Sequence, residues 1–161
     1  MPPTPLVSLR PVSRDTVRDI CKLKVSPDQE KLVAPNAFSI AQAYFHPEAW
    51  FRAIYAGDTP VGFAMLEDWS QVPDCEPQLY QGESYVSLWR FMIDAQHQKQ
   101  GYGEEALRLL IAHARTRPRA KNMVLSFVPS DGNAEHFYNR LGFARTGEED
   151  MGELIMKLPL D

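Results

Sequence analysis

The stretch Gln98-Lys99-Gln100-Gly101-Tyr102-Gly103 decides the fold, because it joins the strongest strand pattern of the chain to its strongest helix pattern. Before it, residues 85–93 (YVSLWRFMI) carry apolar side chains on both faces towards their end, as a central strand does. After it, residues 101–116 repeat apolar side chains at helical spacing, and Pro118 indicates a stop. The predicted buried stripe of this helix comprises Ala106, Leu107, Leu109, Leu110, Ile111, His113 and Ala114.

The turn between this strand and this helix has the features of an anion site. The first backbone N–H groups of a helix lack internal partners, and the helix dipole makes that end positive, so it binds phosphate well. Gly101 and Gly103 remove side chains that would keep a pyrophosphate away, and Lys99 adds a cation. The Rossmann fingerprint and the Gly-Lys-Ser/Thr ending of a nucleotide loop are both absent. The alternative is that the glycines only make the start of the helix more flexible and that no ligand binds there.

The patterns on either side of this unit predict an α+β domain. Upstream, we expect a strand over 6–12, a helix that begins near 13–15, a helix over 36–45, strands over 50–55 and 61–69, and a polar loop over 70–82. Downstream, we expect a strand over 123–128, a helix over 131–141, and strands near 143–146 and 153–158. The order βααβββαβαββ mixes one crossover unit with hairpins, which favours a mixed sheet.

Length, charge and cysteine content narrow the class of protein. The chain has 161 residues, enough for one domain over 1–161 with its own core. A net charge of −4 does not indicate the basic surface of a nucleic-acid-binding protein. It suits a small cationic substrate slightly better than an anionic one. Cys21 and Cys75 fit neither a metal-ligand nor a disulfide pattern, and we expect both to be small buried side chains. The sequence has no signal-peptide pattern and no membrane-span pattern, so a cytoplasmic protein without membrane partners is expected.

The Q-x-x-G-x-G pattern in this strand–helix context resembles motif A of the GNAT superfamily of N-acetyltransferases. The resemblance implies that acetyl-CoA binds here, with its pyrophosphate held by backbone amides. The implied pyrophosphate residues are Gln98, Lys99, Gln100, Gly101, Tyr102, Gly103 and Glu104. The pantetheine arm and acetyl carbonyl would follow Phe91, Met92 and Ile93, where a backbone N–H stabilises the oxyanion.

Residues 131–143 (DGNAEHFYNRLGF) resemble the later GNAT motif N-x-x-A-x-x-F/L-Y-x-x-L-G-F. The leading Asn of that motif falls on Asp131 here, and Asn133 is displaced by two positions, so either residue is a candidate for cofactor contact. The resemblance assigns Tyr138 as the general acid that protonates the leaving thiolate. The alternative is that Tyr138 only packs its ring in the core.

Further segments are similar to a bacterial GNAT subgroup commonly described as diamine or spermidine N-acetyltransferases. They include residues 25–29, 33–36, 39–43, 88–94 and 146–160, which together with the two motifs cover nearly the whole chain. The resemblance implies a mostly antiparallel sheet of about seven strands flanked by about four helices, a homodimer, and no metal. It also implies that the acceptor is a primary amine of a small cation, with a polyamine favoured. Another amine acceptor, or a CoA-binding regulatory protein without turnover, are the alternatives.

Candidate acceptor and base residues are less well defined. A polyamine pocket needs spaced carboxylates and aromatic faces, which Trp69 or Trp89 can supply. The candidate carboxylates are Glu30, Glu48, Glu67, Asp68, Asp74, Glu76 and Glu83, of which Glu67, Asp68 and Glu83 are also candidate bases. Asn36 is predicted either to line the pocket or to cap the second helix. The vertebrate spermidine/spermine acetyltransferases carry a glutamate on the central strand, but Leu88-Trp89-Arg90 stands there in this chain, so the base is unassigned.

Overall fold

The computed structural model describes residues 3–78, 82–129 and 132–161, and it confirms the predicted order of elements. The elements, in chain order, are β1 (Val7–Arg10), α1 (Val17–Lys22), α2 (Asn36–Ala43), β2 (Ala49–Ala56), β3 (Thr59–Asp68), β4 (Tyr85–Ile93), α3 (Tyr102–Arg115), β5 (Asn122–Phe127), α4 (Gly132–Arg140), β6 (Ala144–Asp150) and β7 (Glu153–Pro159). Single 3₁₀ turns at Pro27–Gln29, Trp69–Gln71, Pro73–Cys75 and Ala95–His97 lie in the connections.

The strands form one sheet in the order β1-β2-β3-β4-β5-β7-β6. Every described neighbouring pair is antiparallel except β4 and β5, which confirms the prediction of a mixed and mostly antiparallel sheet. The β4–β5 pairing ends at Ser87 and Val124. Beyond that point β4 continues along β3 to Ile93, and β5 continues along β7 to Phe127. The two central strands therefore diverge and leave a cleft in the middle of the sheet.

A β-bulge shifts the alternation of side chains on β4. The pairing with β3 steps from Met65↔Arg90 to Leu66↔Leu88, so Trp89 is the extra residue. Leu88 and Phe91 consequently pack into the core on one face of the sheet, while Trp89 packs into the core on the other. This explains why the sequence of the strand is apolar on both faces beside the cleft.

Helices cover the sheet on both faces. On one face, α3 buries Leu107 and Leu110 against β-strand side chains such as Met123. On the opposite face, Ile20 of α1 packs in a second core with Phe63 of β3. Burial of apolar side chains in these two layers is the main contribution to stability.

Two predictions of burial are wrong. The predicted buried stripe of α3 includes Leu109, but the side chain of this residue is 37% exposed. The buried residues of that helix are Tyr102, Ala106, Leu107, Leu110, Ile111 and Ala114, and at 100° per residue Leu109 lies outside this face. Cys75 lies exposed in the loop after β3, whereas Cys21 is half-buried, and both thiols are free. None of the helices in the described parts of the chain is long and apolar enough to span a membrane.

Candidate active site

The loop between β4 and α3 is held in place by two polar side chains. The Asp94 carboxylate accepts a hydrogen bond from the Lys24 backbone N–H at 2.9 Å and lies 3.1 Å from Nδ1 of His97. The Gln98 amide donates to the Ile93 carbonyl at 2.9 Å and to Oε1 of Gln29 at 2.8 Å. Gln98 therefore connects the loop to the end of β4 and to the segment after α1. Its side-chain amide N–H groups are used in these two hydrogen bonds.

The start of α3 has the conformation that the anion-site prediction requires. Gly101 is the N-cap residue with φ +85°, and no side chain caps the helix. Lys99 also adopts a left-handed backbone, with φ +64°. Because the first-turn N–H groups have no side-chain acceptor, this end of the helix can donate to an anion.

The two glycines of this turn are needed for different reasons. A Cβ atom added at Gly101 would have no neighbour within 4 Å, so this position requires glycine for its positive φ. A Cβ atom added at Gly103 would lie 3.6 Å from Cγ1 of Ile93 and 3.8 Å from Cζ of Phe137. Gly103 therefore keeps open the space between the end of β4 and α4.

A cavity of about 520 Å³ lies in front of this turn, and we call it the α3 cavity. Most residues predicted to bind the cofactor line it: Phe91, Met92, Ile93, Gln98, Lys99, Gly101, Tyr102, Gly103 and Glu104. Gln100 does not line it. Asp131 and the side chain of Asn133 lie outside the described residues. Lys99 and Arg140 supply positive charge to its wall.

A second cavity of about 800 Å³ lies beside the first, and we call it the acidic cavity. Its carboxylates are Glu30, Glu67, Glu148, Asp150 and Glu153, and its cationic side chains are Lys31 and Arg90. Tyr85, Trp89, Phe91 and Tyr138 contribute aromatic surface. An excess of carboxylates together with aromatic faces is suited to a ligand with ammonium groups.

The two cavities meet where β4 and β5 diverge. The residues that line both are Leu32, Val33, Phe91, Ser126, Tyr138 and Glu153, and we call this region the junction. The ring of Tyr138 packs edge-on against Phe137 and Phe143, with centroids 5.3 Å and 6.0 Å away. Tyr138 therefore has a packed ring and also lines the junction.

Glu67 occupies the β3 wall of the acidic cavity. Burial is the largest cause of its raised pKa, and the nearby Glu48 raises it further, whereas His46, Arg90 and a hydrogen bond with Ser87 oppose the shift. The pKa of Tyr85 is raised by burial and then by Glu67 and Asp150. Glu67 on β3 and Asp150 on β6 line the acidic cavity together with Tyr85, and both carboxylates act on its hydroxyl.

Trp89 and Arg90 form the wall next to Glu67. Arg90 donates to Oε1 of Gln42 at 3.1 Å and to the Trp89 carbonyl at 3.2 Å. The Trp89 ring contacts His46 edge-on, with centroids 5.1 Å apart. Burial lowers the pKa of Arg90, and Glu67 raises it. Trp89 is therefore an ordered aromatic face of the acidic cavity, as its prediction requires.

The structure corrects the prediction for Asn36. Its side chain is 2% exposed and donates to the Ile20 carbonyl at 2.9 Å and to Sδ of Met92 at 3.7 Å. Asn36 is the first residue of α2, whose N-cap is Pro35, and it lines neither cavity. Its amide joins α1 to β4 in the core, so it is neither a pocket residue nor a cap.

Most carboxylates proposed from sequence lie elsewhere. Asp68 is 1% exposed and pairs with Arg117 at 2.6 Å, while Glu83 accepts a hydrogen bond from Asn122. Of the seven candidate carboxylates only Glu30 and Glu67 line the acidic cavity; Glu48, Asp68, Asp74, Glu76 and Glu83 do not, and neither does Trp69. Of the three candidate bases, only Glu67 therefore faces it.

Sequence reasoning missed the contribution of the β6–β7 hairpin. Glu148 and Asp150 stand two residues apart on β6, and Asp150 is paired with Glu153 of β7. All three carboxylates line the acidic cavity, although the register of β6 with β7 shifts between Arg145 and Glu149. The acidic run 147–153 (GEEDMGE) was the available signal, but it also resembles a solvated turn. No group of three potential metal ligands is present within the described ranges.

Comparisons with known proteins agree with this architecture. The acetyltransferase (GNAT) family model matches residues 17–143. The chain is 30% identical over 155 residues to the spermine/spermidine N(1)-acetyltransferase of Bacillus subtilis, covering 93% of this chain and 96% of that relative. An acetyltransferase structure from Thermus thermophilus superposes with a TM-score of 0.71 at 17% identity, covering 98% of this chain and 99% of that one. The spermidine N-acetyltransferase from Vibrio cholerae in complex with CoA and spermine superposes with a TM-score of 0.70 at 13% identity, covering 96% and 95%. The chain therefore belongs to the acetyltransferase (GNAT) family.

Proposed function

We propose that this protein transfers the acetyl group of acetyl-CoA to a primary amine of a polyamine. The junction is the observation that carries this proposal, since it connects a cavity at an uncapped helix N-terminus with a cavity rich in carboxylates. The Bacillus subtilis relative is a spermine/spermidine N(1)-acetyltransferase, and the Vibrio cholerae structure contains CoA and spermine, which supports the same acceptor class.

The α3 cavity is suited to acetyl-CoA. The first-turn amides of α3 and the Lys99 ammonium would hold the pyrophosphate. Phe91, Met92 and Ile93 lead from this turn towards the junction, so the pantetheine arm would follow the end of β4. Since β4 leaves β5 after Ser87, its backbone groups there no longer pair with that strand and are available to the thioester carbonyl.

The acceptor would react at the junction by direct attack. The neutral amine forms a bond to the thioester carbon, the carbon–sulfur bond breaks, and the thiolate of CoA leaves with the bonding pair. Tyr138 would give its phenolic proton to that thiolate, since a thiol of pKa about 8.5 leaves more readily when a phenol of pKa about 10 is nearby. The ammonium proton lost before attack passes to solvent or to a carboxylate of the acidic cavity. After attack the nitrogen loses one further proton as the amide forms, and this proton returns through solvent to the Tyr138 phenolate.

The test is a thiol-release assay with acetyl-CoA and a panel of spermidine, spermine, short diamines, amino acids and an aminoglycoside. We expect turnover on the polyamines, and Tyr138→Phe should lose most of it while still binding acetyl-CoA. Tyr44→Phe is the matched control, because Tyr44 is 85% exposed and lines neither cavity. Binding of acetyl-CoA without turnover on any polyamine would rule out the proposed acceptor, and unchanged turnover of Tyr138→Phe would rule out its role as the acid.

We further propose that the protein acts in the cytoplasm as a homodimer, without nucleic-acid or membrane partners. The family resemblance supports this, and the exposed aromatic side chains of Phe38 on α2 and Phe45 just after it offer apolar surface for a second copy. Light scattering coupled to gel filtration would measure the mass in solution, and a mass of about 18 kDa would contradict the dimer.

A further inference from the structure

We propose that Glu67 is a specificity-determining residue that binds the second ammonium group of the acceptor, distal to the amine that is acetylated. The consequence is a preference for long polyamines over short diamines. This inference rests on the proposed function and adds to it a distance and a named side chain.

The distance follows from the register of the sheet. Glu67 pairs with Ser87 on β4, whereas the junction lies at Phe91. Four residues of extended strand span about 13 Å, and the bulge at Trp89 shortens this path, so the separation is roughly 11–13 Å. A single ligand must therefore extend along β4 to reach both places.

Polyamines differ in whether they can cover this distance. An extended chain advances about 1.2 Å per bond, so a four-carbon diamine separates its nitrogens by about 6 Å. A triamine with three- and four-carbon segments places its terminal nitrogens about 11 Å apart by the same rule. With one terminal amine at the junction, only the longer molecule brings another ammonium group to Glu67.

Arg90 and His46 lie near enough to Glu67 to affect its pKa, but neither forms an ion pair with its carboxylate. Within the described part of the chain no ion pair joins Glu67 to a basic side chain. Arg90 directs its terminal nitrogens to Gln42 and to the Trp89 carbonyl, and the neighbouring Glu48 contacts His46 at 2.9 Å. A half-buried carboxylate that has a second carboxylate nearby and makes no ion pair is stabilised by a positive charge that contacts it directly.

The opposite wall strengthens the same subsite. Asp150 on β6, Glu67 on β3 and Tyr85 on β4 line the same cavity, and both carboxylates act on the Tyr85 hydroxyl. An ammonium group in this part of the cavity would have two carboxylates and an aromatic ring near it.

The experiment compares Glu67→Gln with the wild type on four acceptors: spermidine, 1,4-diaminobutane, 1,8-diaminooctane and 8-amino-1-octanol. The last two have nearly the same length, and only the diamine carries the second charge. We expect the wild type to favour the eight-carbon diamine over the amino alcohol by about 10- to 100-fold in kcat/KM, the range of a charged hydrogen bond. Glu67→Gln should remove most of this ratio through KM, with the amino alcohol changed less than about twofold.

Two further variants control the result. Glu149→Gln removes the same charge from the exposed hairpin without lining the acidic cavity, and it should behave as the wild type. Asp150→Asn lies on the exposed hairpin and should lower the same ratio, so the test does not depend on whether Glu67→Gln folds.

The outcomes separate this inference from the proposed function. Equal loss on all four acceptors, with a shifted pH profile of kcat, would make Glu67 a base and overturn the specificity role. A wild-type ratio near one, with polyamine turnover intact, would overturn the inference alone. Absence of turnover on every polyamine would instead overturn the proposed function on which it rests.

Discussion

Replacing Gly103 by alanine should stabilise the protein and weaken its binding of acetyl-CoA. Gly103 is the second residue of α3, and its φ is not among the positive values of the chain. Alanine is favoured over glycine in a helix by about 0.5–1 kcal/mol. The added methyl group would lie 3.6–3.9 Å from side-chain atoms of Ile93, Phe137 and Phe91, which is ordinary van der Waals contact.

The expected gain in the free energy of unfolding is about 1 kcal/mol, which raises the Tm of a domain of this size by about 2–4 °C. The same methyl group occupies space that the α3 cavity offers to a ligand. A methyl group in space that the ligand needs costs about 1–3 kcal/mol of binding, so the KM for acetyl-CoA should rise about 5- to 150-fold. The kcat at saturating acetyl-CoA should change much less.

Gly101→Ala is the matched control, and it should change stability in the opposite direction. Gly101 has φ +85° and open space around it, so alanine meets no clash but adopts a left-handed conformation. The expected loss is about 1–2 kcal/mol. Thermal unfolding and initial rates against acetyl-CoA concentration measure both variants.

Two results for Gly103→Ala would contradict these expectations. If Gly103→Ala lowered the Tm, the methyl group would not fit between β4 and α4 as the distances indicate. If Gly103→Ala raised the Tm but left the KM for acetyl-CoA unchanged, the α3 cavity would not be the cofactor site.

Two other predictions concern buried polar side chains. The pKa of His113 is lowered by burial and then by Arg117, with a smaller contribution from Arg52, while Asp68 opposes the shift. The unfolded chain therefore binds the proton first as pH falls below about 6.5, so stability should decrease through this range. His113→Phe keeps a ring stacked on Trp50 and should flatten the dependence in urea titrations at several pH values; equal slopes would contradict the shift. Asn36→Leu should cost about 1 kcal/mol in urea unfolding, since the Ile20 carbonyl loses one of its two donors and keeps the Leu23 N–H. The KM for the amine should stay the same, and a raised KM with unchanged stability would restore a pocket role for Asn36.

The parts of the fold that are local in sequence could be predicted from the sequence. The bounds of β4 and α3 follow from the sequence within about one residue, because a doubly apolar strand, a glycine turn and a wide apolar stripe succeed one another directly. The α3 cavity follows from the same segment, since one loop and one helix start supply most of its wall. The predicted burial of Leu109 is wrong, because the apolar pattern of α3 is wider than the face that the helix buries.

The acidic cavity could not be predicted in the same way, because its walls meet only through the order of the strands. The β6–β7 hairpin is added to the sheet next to β5, so Asp150 reaches the region of Tyr85 although 65 residues separate them in sequence. Without the order of strands, the carboxylates of 147–153 are indistinguishable from solvent-exposed charges. The buried role of Asn36 could not be predicted for the same reason, because its hydrogen-bond partners lie on α1 and β4, far from it in sequence.

At Leu88-Trp89-Arg90, where a carboxylate is absent, β4 carries its bulge. The bulge makes Trp89 the extra residue of β4, and its ring forms part of the wall while Arg90 anchors to α2 through Gln42. A carboxylate is still present one strand away, since Glu67 on β3 faces the same cavity. Because Glu67 lies opposite Ser87 rather than at the junction, it is better placed to bind a distal ammonium group than to remove a proton from the reacting amine. Because Glu67 is offset from the junction, we expect this carboxylate to select acceptors by their charge and length. We do not expect it to replace the missing central-strand carboxylate as a base.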